Sequence, residues 1–256
     1  MPRAGHHADE IELSEADRRV ALVTGGGSGI GAACARRLAD DGYVVAVADL
    51  DLDAAHVVAD EIGGTAVAVD VSNEGSVAAM LHAVAALGTL AAAVNSAAVP
   101  DNGGAIADRD FASWRRVLSV DLDGVFLCVR AELRTMLAAG TAGSITSIGS
   151  VLSLRGHPTA PAYSTAKHAL IGLHRSAAQA YSARGIRTNL VCPGYIRTPL
   201  LDTRMDEARA AALTAQHPIG RLGTSDEVAA LVSWLAGSEA GFVTGAVYTV
   251  DGGFTS

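Results

Sequence analysis

Thr24-Gly25-Gly26-Gly27-Ser28-Gly29-Ile30-Gly31 is the stretch on which the fold of this chain turns. An apolar run over residues 20–23 precedes it and has the length of a buried strand. A helical stretch over residues 32–40 follows, with Cys34 and Leu38 four apart on one side. Strand, glycine-rich turn and helix in that order make a phosphate cradle. Gly25 permits the tight turn, Gly29 lets the backbone approach a pyrophosphate, and Gly31 allows close helix–strand packing. The first N–H groups of the helix and the positive end of its dipole face the same point and favour an anion there. A flexible glycine linker is the competing reading, and the ordered, apolar flanks argue against it.

Asp49 ends a second apolar run, residues 43–48, at the distance from the glycines where a dinucleotide-binding unit carries its acid. A carboxylate there accepts hydrogen bonds from the adenosine ribose hydroxyls of NAD and repels the additional phosphate of NADP. Neither the glycine turn nor residues 50–53 contain Arg or Lys, and Asp51 and Asp53 add negative charge. The expected cofactor is therefore NAD. Aspartate is also a good helix cap, but Asp51 or Asp53 can fill that role and leave Asp49 free.

Outward from these two runs, short apolar segments alternate with helical ones, the pattern of βαβ units. Strands are predicted over residues 20–24, 44–49, 65–70, 90–95, 144–148, 187–191 and 246–250. Helices are predicted over 29–41, 52–62, 74–87, 111–139, 161–184 and 225–236. The fold class is α/β: a single-domain, Rossmann-like, doubly wound sheet of seven mostly parallel strands flanked by helices. Residues 1–19 are expected to be a mobile extension, 20–256 the dinucleotide-binding catalytic domain, and 195–218 a lid with helical character around 202–215. Ligands of such sheets bind beyond the carboxyl ends of the strands, where Asn95, Ser150 and Pro193 all fall.

Tyr163 and Lys167 stand four apart in Tyr163-Ser164-Thr165-Ala166-Lys167, on one face of a predicted helix. A phenol ionises near pH ~10, and a neighbouring cation lowers that value. Bringing it to neutrality takes roughly 3 units, or about 4 kcal/mol. One close ammonium together with the positive ring of an oxidised nicotinamide is a reasonable source for that amount. The product is a general acid or base for ordinary pH. A lone pair of this kind is more often a solvated helix face. The glycine turn, Asp49 and Ser150 reverse those odds here.

Taken together, these motifs resemble the classical short-chain dehydrogenase/reductase family, from about Val20 to the C-terminus. The segment from Thr24 to Gly31 is similar to the family's TGxxxGxG. Asp70-Val71 resembles its adenine-contacting pair, and Asn95-Ser96-Ala97-Ala98 its NNAG segment. Ser150, Tyr163 and Lys167 resemble its catalytic residues at their usual spacing. Pro193-Gly194-Tyr195-Ile196-Arg197-Thr198 resembles its PGxxxT segment, and Val250-Asp251-Gly252-Gly253 its last strand and turn.

The resemblance implies interconversion of a secondary alcohol and a ketone, with Tyr163 as acid/base and Ser150 holding the substrate oxygen. Lys167 would act on both Tyr163 and the nicotinamide ribose. It implies cofactor contacts at Gly25, Ser28, Gly29, Ile30, Gly31, Asp49, Leu50, Asp70, Val71, Asn95, Ala97, Tyr163, Lys167, Pro193, Gly194, Ile196 and Thr198, with Ile196 and Thr198 at the carboxamide. It also implies a homotetramer, with the helices starting at Phe111 and Pro161 and the C-terminal segment at its interfaces.

The chain departs from the family at two positions. Asp121, in Val120-Asp121-Leu122-Asp123-Gly124, stands where the family has a fourth catalytic residue, an asparagine that helps hold a water joining the lysine to solvent. Aspartate keeps the acceptor oxygens and loses the amide donors. Little changes if the water is held through the backbone carbonyl, whereas proton exchange slows or the pH optimum moves if the amide matters, and an ionised Asp121 would also keep Lys167 charged. Ala98 stands where the family has glycine, and its Cβ would strain a turn that needed positive φ.

Composition excludes several classes. Half of the 256 residues are hydrophobic and 18% are charged, which rules out wholesale disorder. The net charge is -8, against nucleic-acid or anionic-membrane binding. No apolar run reaches the ~20 residues of a membrane span. The N-terminus lacks the apolar core of a secretory signal, and His6-His7 alone is no metal site. Cys34, Cys128 and Cys192 read as buried thiols of a reducing, cytoplasmic compartment.

The substrate end should draw on Val99, Pro100 and residues 151–161 and 195–218. Leu152, Leu154, Tyr195, Leu200, Leu201 and Met205 suggest an apolar pocket for a hydrophobic, even cyclic, small molecule. Arg155, His157 and Arg197 suit either an anionic group or a solvated rim. Three rival functions are an NADP-dependent 3-oxoacyl-thioester reductase of the same family, a catalytically silent dinucleotide-sensing protein, and a serine hydrolase. Asp49 opposes the first, the intact Ser150, Tyr163 and Lys167 the second, and the absence of a GxSxG elbow the third.

Overall fold

Every residue of Val20–Val23 is buried, because the strand that they form is covered on both faces. Successive side chains of a strand point to opposite sides. Val20 and Leu22 enter one apolar cluster and Ala21 and Val23 the other. The continuous apolar run is thus the signature of a strand buried on two sides. The computed structural model of the chain describes residues 18–101, 103–198 and 206–256.

The strands are β1 (Arg19–Thr24), β2 (Val44–Asp49), β3 (Thr65–Ala68), β4 (Thr89–Asn95), β5 (Gly143–Ile148) and β6 (Ile186–Pro193). A separate two-stranded ladder of β7 (Ile196–Arg197) and β8 (Gly223–Thr224) follows, then β9 (Val247–Val250). The seven-stranded sheet has the order β3-β2-β1-β4-β5-β6-β9, with every pairing parallel. Its order reverses between β1 and β4, the point at which doubly wound sheets open a crevice.

The helices are α1 (Gly29–Asp40), α2 (Leu52–Ile62), α3 (Glu74–Ala85), α4 (Phe111–Leu118), α5 (Val125–Ala139), α6 (Pro161–Tyr181), α7 (Glu207–Thr214) and α8 (Ser225–Ala236). α3, α5 and α6 cover one face through Met80, Leu133 and Leu170. α1, α2 and α8 cover the other through Leu38, Val58 and Val232.

The expected single helix over 111–139 is interrupted by a π-helical turn at Ser119–Gly124. The widened turn brings Asp121 inside, fully buried, and local periodicity carries no mark of it. β3 stops at Ala68 rather than reaching residue 70, because this edge strand meets β2 only over Ala46–Asp49. α6 gives way to a 3-10 turn at Ser182–Arg184, which closes on Gly185 at φ 79. Of the expected lid, residues 199–205 lie outside the described part, and α7 occupies Glu207–Thr214. Of the expected N-terminal extension, 1–17 likewise lie outside, while Arg19 already belongs to β1.

Candidate active site

A cleft of about 600 Å³ opens beyond the carboxyl ends of the parallel strands. Its wall includes Gly25, Ser28, Gly29 and Ile30 after β1, Asp49 and Leu50 at the end of β2, and Asp70 and Val71 after β3. Ala97 follows β4, Ser150 follows β5, and Pro193, Gly194, Ile196 and Thr198 close the far side. Tyr163 and Lys167 reach in from α6. Three of the predicted residues are not on this wall: Gly31, Asn95 and Asp121.

Gly25 has φ 65, and a Cβ there would stand 2.7 Å from the Ala97 nitrogen. A Cβ on Gly31 would run into the Gly25 carbonyl. Gly31 therefore shapes the turn from behind it. At the start of α1, Ser28 makes no side-chain cap and the first turn holds no acid. By contrast α2, α3, α4 and α8 are capped by Asp51, Asn73, Asp110 and Thr224. The uncapped helix start beside a glycine turn has the donors and field that a pyrophosphate needs. Asp51 takes the capping role, as the sequence allowed, so Asp49 is left at the cleft edge. There its Oδ2 accepts from Gly27 N at 2.9 Å and its Oδ1 from Asp51 N at 3.1 Å.

At the other end, Lys167 is all but fully buried, and its Nζ donates to the Ile148 carbonyl at 3.0 Å. The same Nζ stands 5.3 Å from the centre of the Tyr163 ring and 3.7 Å from Asp121 Oδ1. The i,i+4 spacing does put phenol and ammonium on one face of α6. Ser150 Oγ accepts from Leu152 N at 3.1 Å, while Ser153 Oγ accepts from Ser150 N at 3.2 Å. This capping box fixes the hydroxyl, which hydrogen-bonds the phenol of Tyr163.

The protein's own groups leave the Tyr163 phenol above its ordinary value. Burial raises its pKa, Lys167 pulls it down, Asp121 pushes it up and the Ser150 hydrogen bond pulls it down, with a net upward balance. The lysine alone does not make this phenol acidic. Asp121 itself is pushed up to about 6 by burial, against the pull of Lys167 and a hydrogen bond from Val99 N at 3.4 Å. Ala98 carries no strain, since every positive φ among the described residues belongs to a glycine.

Asn95 turns away from the cleft. Its Nδ2 donates to Glu132 Oε2 at 3.1 Å, and Glu132 is fully buried with its pKa raised to about 7 by desolvation. Sequence reasoning missed this carboxyl, because it sits in an apolar helix with no motif around it. Val99, Val151, Leu152 and Tyr195 line the cleft, and Pro100 is not on its wall. Leu154 is exposed, and Leu200, Leu201 and Met205 lie outside the described residues.

The basic candidates are elsewhere. Arg155 donates to the Phe254 carbonyl at 3.2 Å and stacks on that ring, Arg197 is exposed, and His157 Nδ1 accepts from Thr159 N at 3.3 Å. Among the described residues Lys167 is the one cation on the cleft wall. Cys34, Cys128 and Cys192 are free and buried. No helix of the described residues is long and apolar enough to cross a membrane.

Comparison with known proteins gives a consistent result. A family model described as enoyl-(acyl carrier protein) reductase matches residues 25–255. The cis-4-hydroxycyclohexanecarboxylate dehydrogenase of Sinomonas cyclohexanicum is 43% identical over 244 residues, 93% of this chain and 97% of that one. The cyclohexanol dehydrogenase of Acinetobacter sp. (strain SE19) is 41% identical over 254 residues, 97% and 99% of the two chains. A solved structure from Agrobacterium tumefaciens with bound NADP, assigned as a 2-deoxy-D-gluconate 3-dehydrogenase, superposes with a TM-score of 0.84. It is 31% identical and covers 94% of this chain and 98% of that one.

Proposed function

The chain belongs to the short-chain dehydrogenase/reductase family, and from that premise we propose that it interconverts a cyclic secondary alcohol and its ketone with NAD(H). It is an oxidoreductase of CH–OH groups. The observation that carries the reading is the convergence of Ser150, Tyr163 and Lys167 at one end of a cleft whose other end is a glycine turn and an uncapped helix.

In this reading the turn at residues 25–31 and the start of α1 hold the pyrophosphate. Asp49 takes the adenosine ribose, Lys167 the nicotinamide ribose, and Ile196 and Thr198 the carboxamide. When bound, the nicotinamide accepts or returns the hydride and, in its oxidised form, adds positive charge. Ser150 donates a hydrogen bond to the substrate oxygen and aligns it. Tyr163 takes the hydroxyl proton in oxidation and gives it back in reduction. Lys167 opposes the effect of burial on Tyr163, so the phenoxide is less costly to form.

The substrate walls, Val99, Val151, Leu152 and Tyr195, favour an uncharged hydrophobic ring, and the cyclohexanol-type relatives agree. The carboxylate of the first relative's substrate finds no arginine partner on the described wall here. Asp49, with no basic side chain beside it on the described wall, supports NAD rather than NADP. The second reading is an NADP-dependent 3-oxoacyl-thioester reductase of the same family; the family model's description shares the acyl carrier but names an enoyl C=C rather than a ketone, and Asp49 weighs against the phosphate of NADP.

Of the expected lid, the described residues Tyr195, Ile196 and Thr198 stand on the cleft wall. Exposed Phe111 and Phe126 suit a homotetramer built on α4 and α5, and three unpaired thiols suit the cytoplasm.

A panel of cyclic and open-chain secondary alcohols with NAD, followed at the absorbance of the reduced nicotinamide, tests the reading. Turnover with at least one cyclic alcohol is expected, with Tyr163→Phe inactive yet still binding NADH. Silence across the panel, or normal turnover by Tyr163→Phe, would refute it.

A further inference from the structure

The helix that carries Tyr163 and Lys167 begins without a cap of its own. Its N-cap is Ala160, which has no side chain to accept a bond, and Pro161 opens the first turn. The N–H groups that follow are nevertheless satisfied, by a residue far away in sequence. Asp101, in the loop between β4 and α4, accepts from Ala162 N at 3.1 Å and from Tyr163 N at 3.2 Å through its Oδ2. Its Oδ1 pairs with Arg109, whose Nη1 donates to the Gly103 carbonyl at 2.6 Å. The side chains of Arg109 and Asp101 are 6% and 2% exposed, so this is an inner ion pair rather than a surface one. The same loop lines the substrate end of the cleft through Val99, whose N–H also meets Asp121.

We propose that Asp101 is a positioning residue for the reaction: it grips the main-chain N–H of Tyr163, Arg109 grips Asp101, and together they set where the phenol stands relative to Ser150 and Lys167. Because Asp101 reaches the backbone of the tyrosine itself, a shift of its loop is passed to the phenol through a single hydrogen bond. Misplacement of a reacting group by an ångström costs up to ~100-fold in rate. The inference rests on the reading of Tyr163 as proton carrier.

Three properties separate positioning from mere stability: kcat, the Kd for NADH, and Tm, measured on Asp101→Ala and Asp101→Asn. The alanine variant should lose about 30-fold in kcat, with NADH affinity within about twofold of wild type. The asparagine variant keeps an acceptor oxygen for the two N–H groups and should recover kcat to within about threefold. Unchanged kcat in the alanine variant, equal losses in both variants, or a loss of NADH affinity in step with kcat overturns the proposal.

If Asp101→Ala does not fold, Arg109→Gln carries the test, since it leaves both acceptors in place but frees the carboxylate. Its kcat should fall about fivefold at constant NADH affinity, and an unaltered kcat overturns the proposal. A fully active Asp101→Ala beside an inactive Tyr163→Phe sinks this inference alone, whereas an active Tyr163→Phe sinks the acid/base assignment and this inference with it.

Discussion

Asp121 holds its carboxylate 3.7 Å from the ammonium of Lys167, with both side chains shut away from solvent. Burial raises the carboxyl to about 6 and the lysine opposes that rise. The charge of Asp121 in turn pushes the Tyr163 phenol upward. Two carboxyl states thus lie behind the Tyr163 phenol, the proposed proton carrier.

The pH profile of alcohol oxidation should register this arrangement. Asp121→Asn is neutral at every pH, so the upward push on Tyr163 disappears. The ascending limb of kcat/KM, along which Tyr163 loses its proton and becomes the base, should move to lower pH, and any inflection near pH 6, where Asp121 titrates, should vanish. Superimposable profiles for the variant and the wild type would mean that the two groups do not communicate.

Cofactor choice should yield to one atom exchange. Asp49→Asn keeps an oxygen for Gly27 N but removes the charge that opposes a ribose phosphate. Discrimination in favour of NADH over NADPH, measured by fluorescence titration, should drop about tenfold or more. An unchanged ratio would show that Asp49 does not face the ribose.

Glu132 predicts a pH-dependent stability. Its folded-state pKa of about 7 lies above the ordinary 4.5. A raised carboxyl contributes stability that is complete below its unfolded value and is lost as pH rises through the folded one. The wild type should therefore lose stability between roughly pH 4.5 and 7 relative to Glu132→Gln, which never ionises. By pH 8 the variant should be the more stable by about 3 kcal/mol, with the gap closing by pH ~5. Parallel melting curves across that window would count against the buried, protonated state.

Gly31→Ala should damage the turn rather than the helix. Alanine favours helices, but here the added methyl meets the Gly25 carbonyl, and neither piece of backbone has room to yield. A loss of about 1–3 kcal/mol in stability is expected, together with at least about tenfold weaker NADH binding by titration. A variant that binds NADH normally would place the pyrophosphate elsewhere.

Much of this protein was legible in its order of residues. Runs such as Val20–Val23 announce two-sided strands, because a parallel sheet covered by helices leaves no face for polar side chains. The glycine turn and the pair Tyr163 and Lys167 were readable for a similar reason, each lying within one turn or on one face of one helix, whereas Asp49 was readable as the acid that ends the second strand although its bond from Gly27 N spans 22 residues. The break at Ser119–Gly124 was not readable, since a π-helical turn adds one residue to a helix without altering its composition.

What the amino-acid order indicated by itself was the seven parallel strands, most of the helices that cover them and the glycine turn, each carried by neighbours a few positions apart. Only the folded chain decided the electrostatic balance and the supports: the net upward shift at Tyr163, the Asn95–Glu132 contact, and the hold of Asp101 on a helix 61 residues away. Desolvation and long-range hydrogen bonds depend on which segments the sheet brings together, and no window of sequence contains both partners.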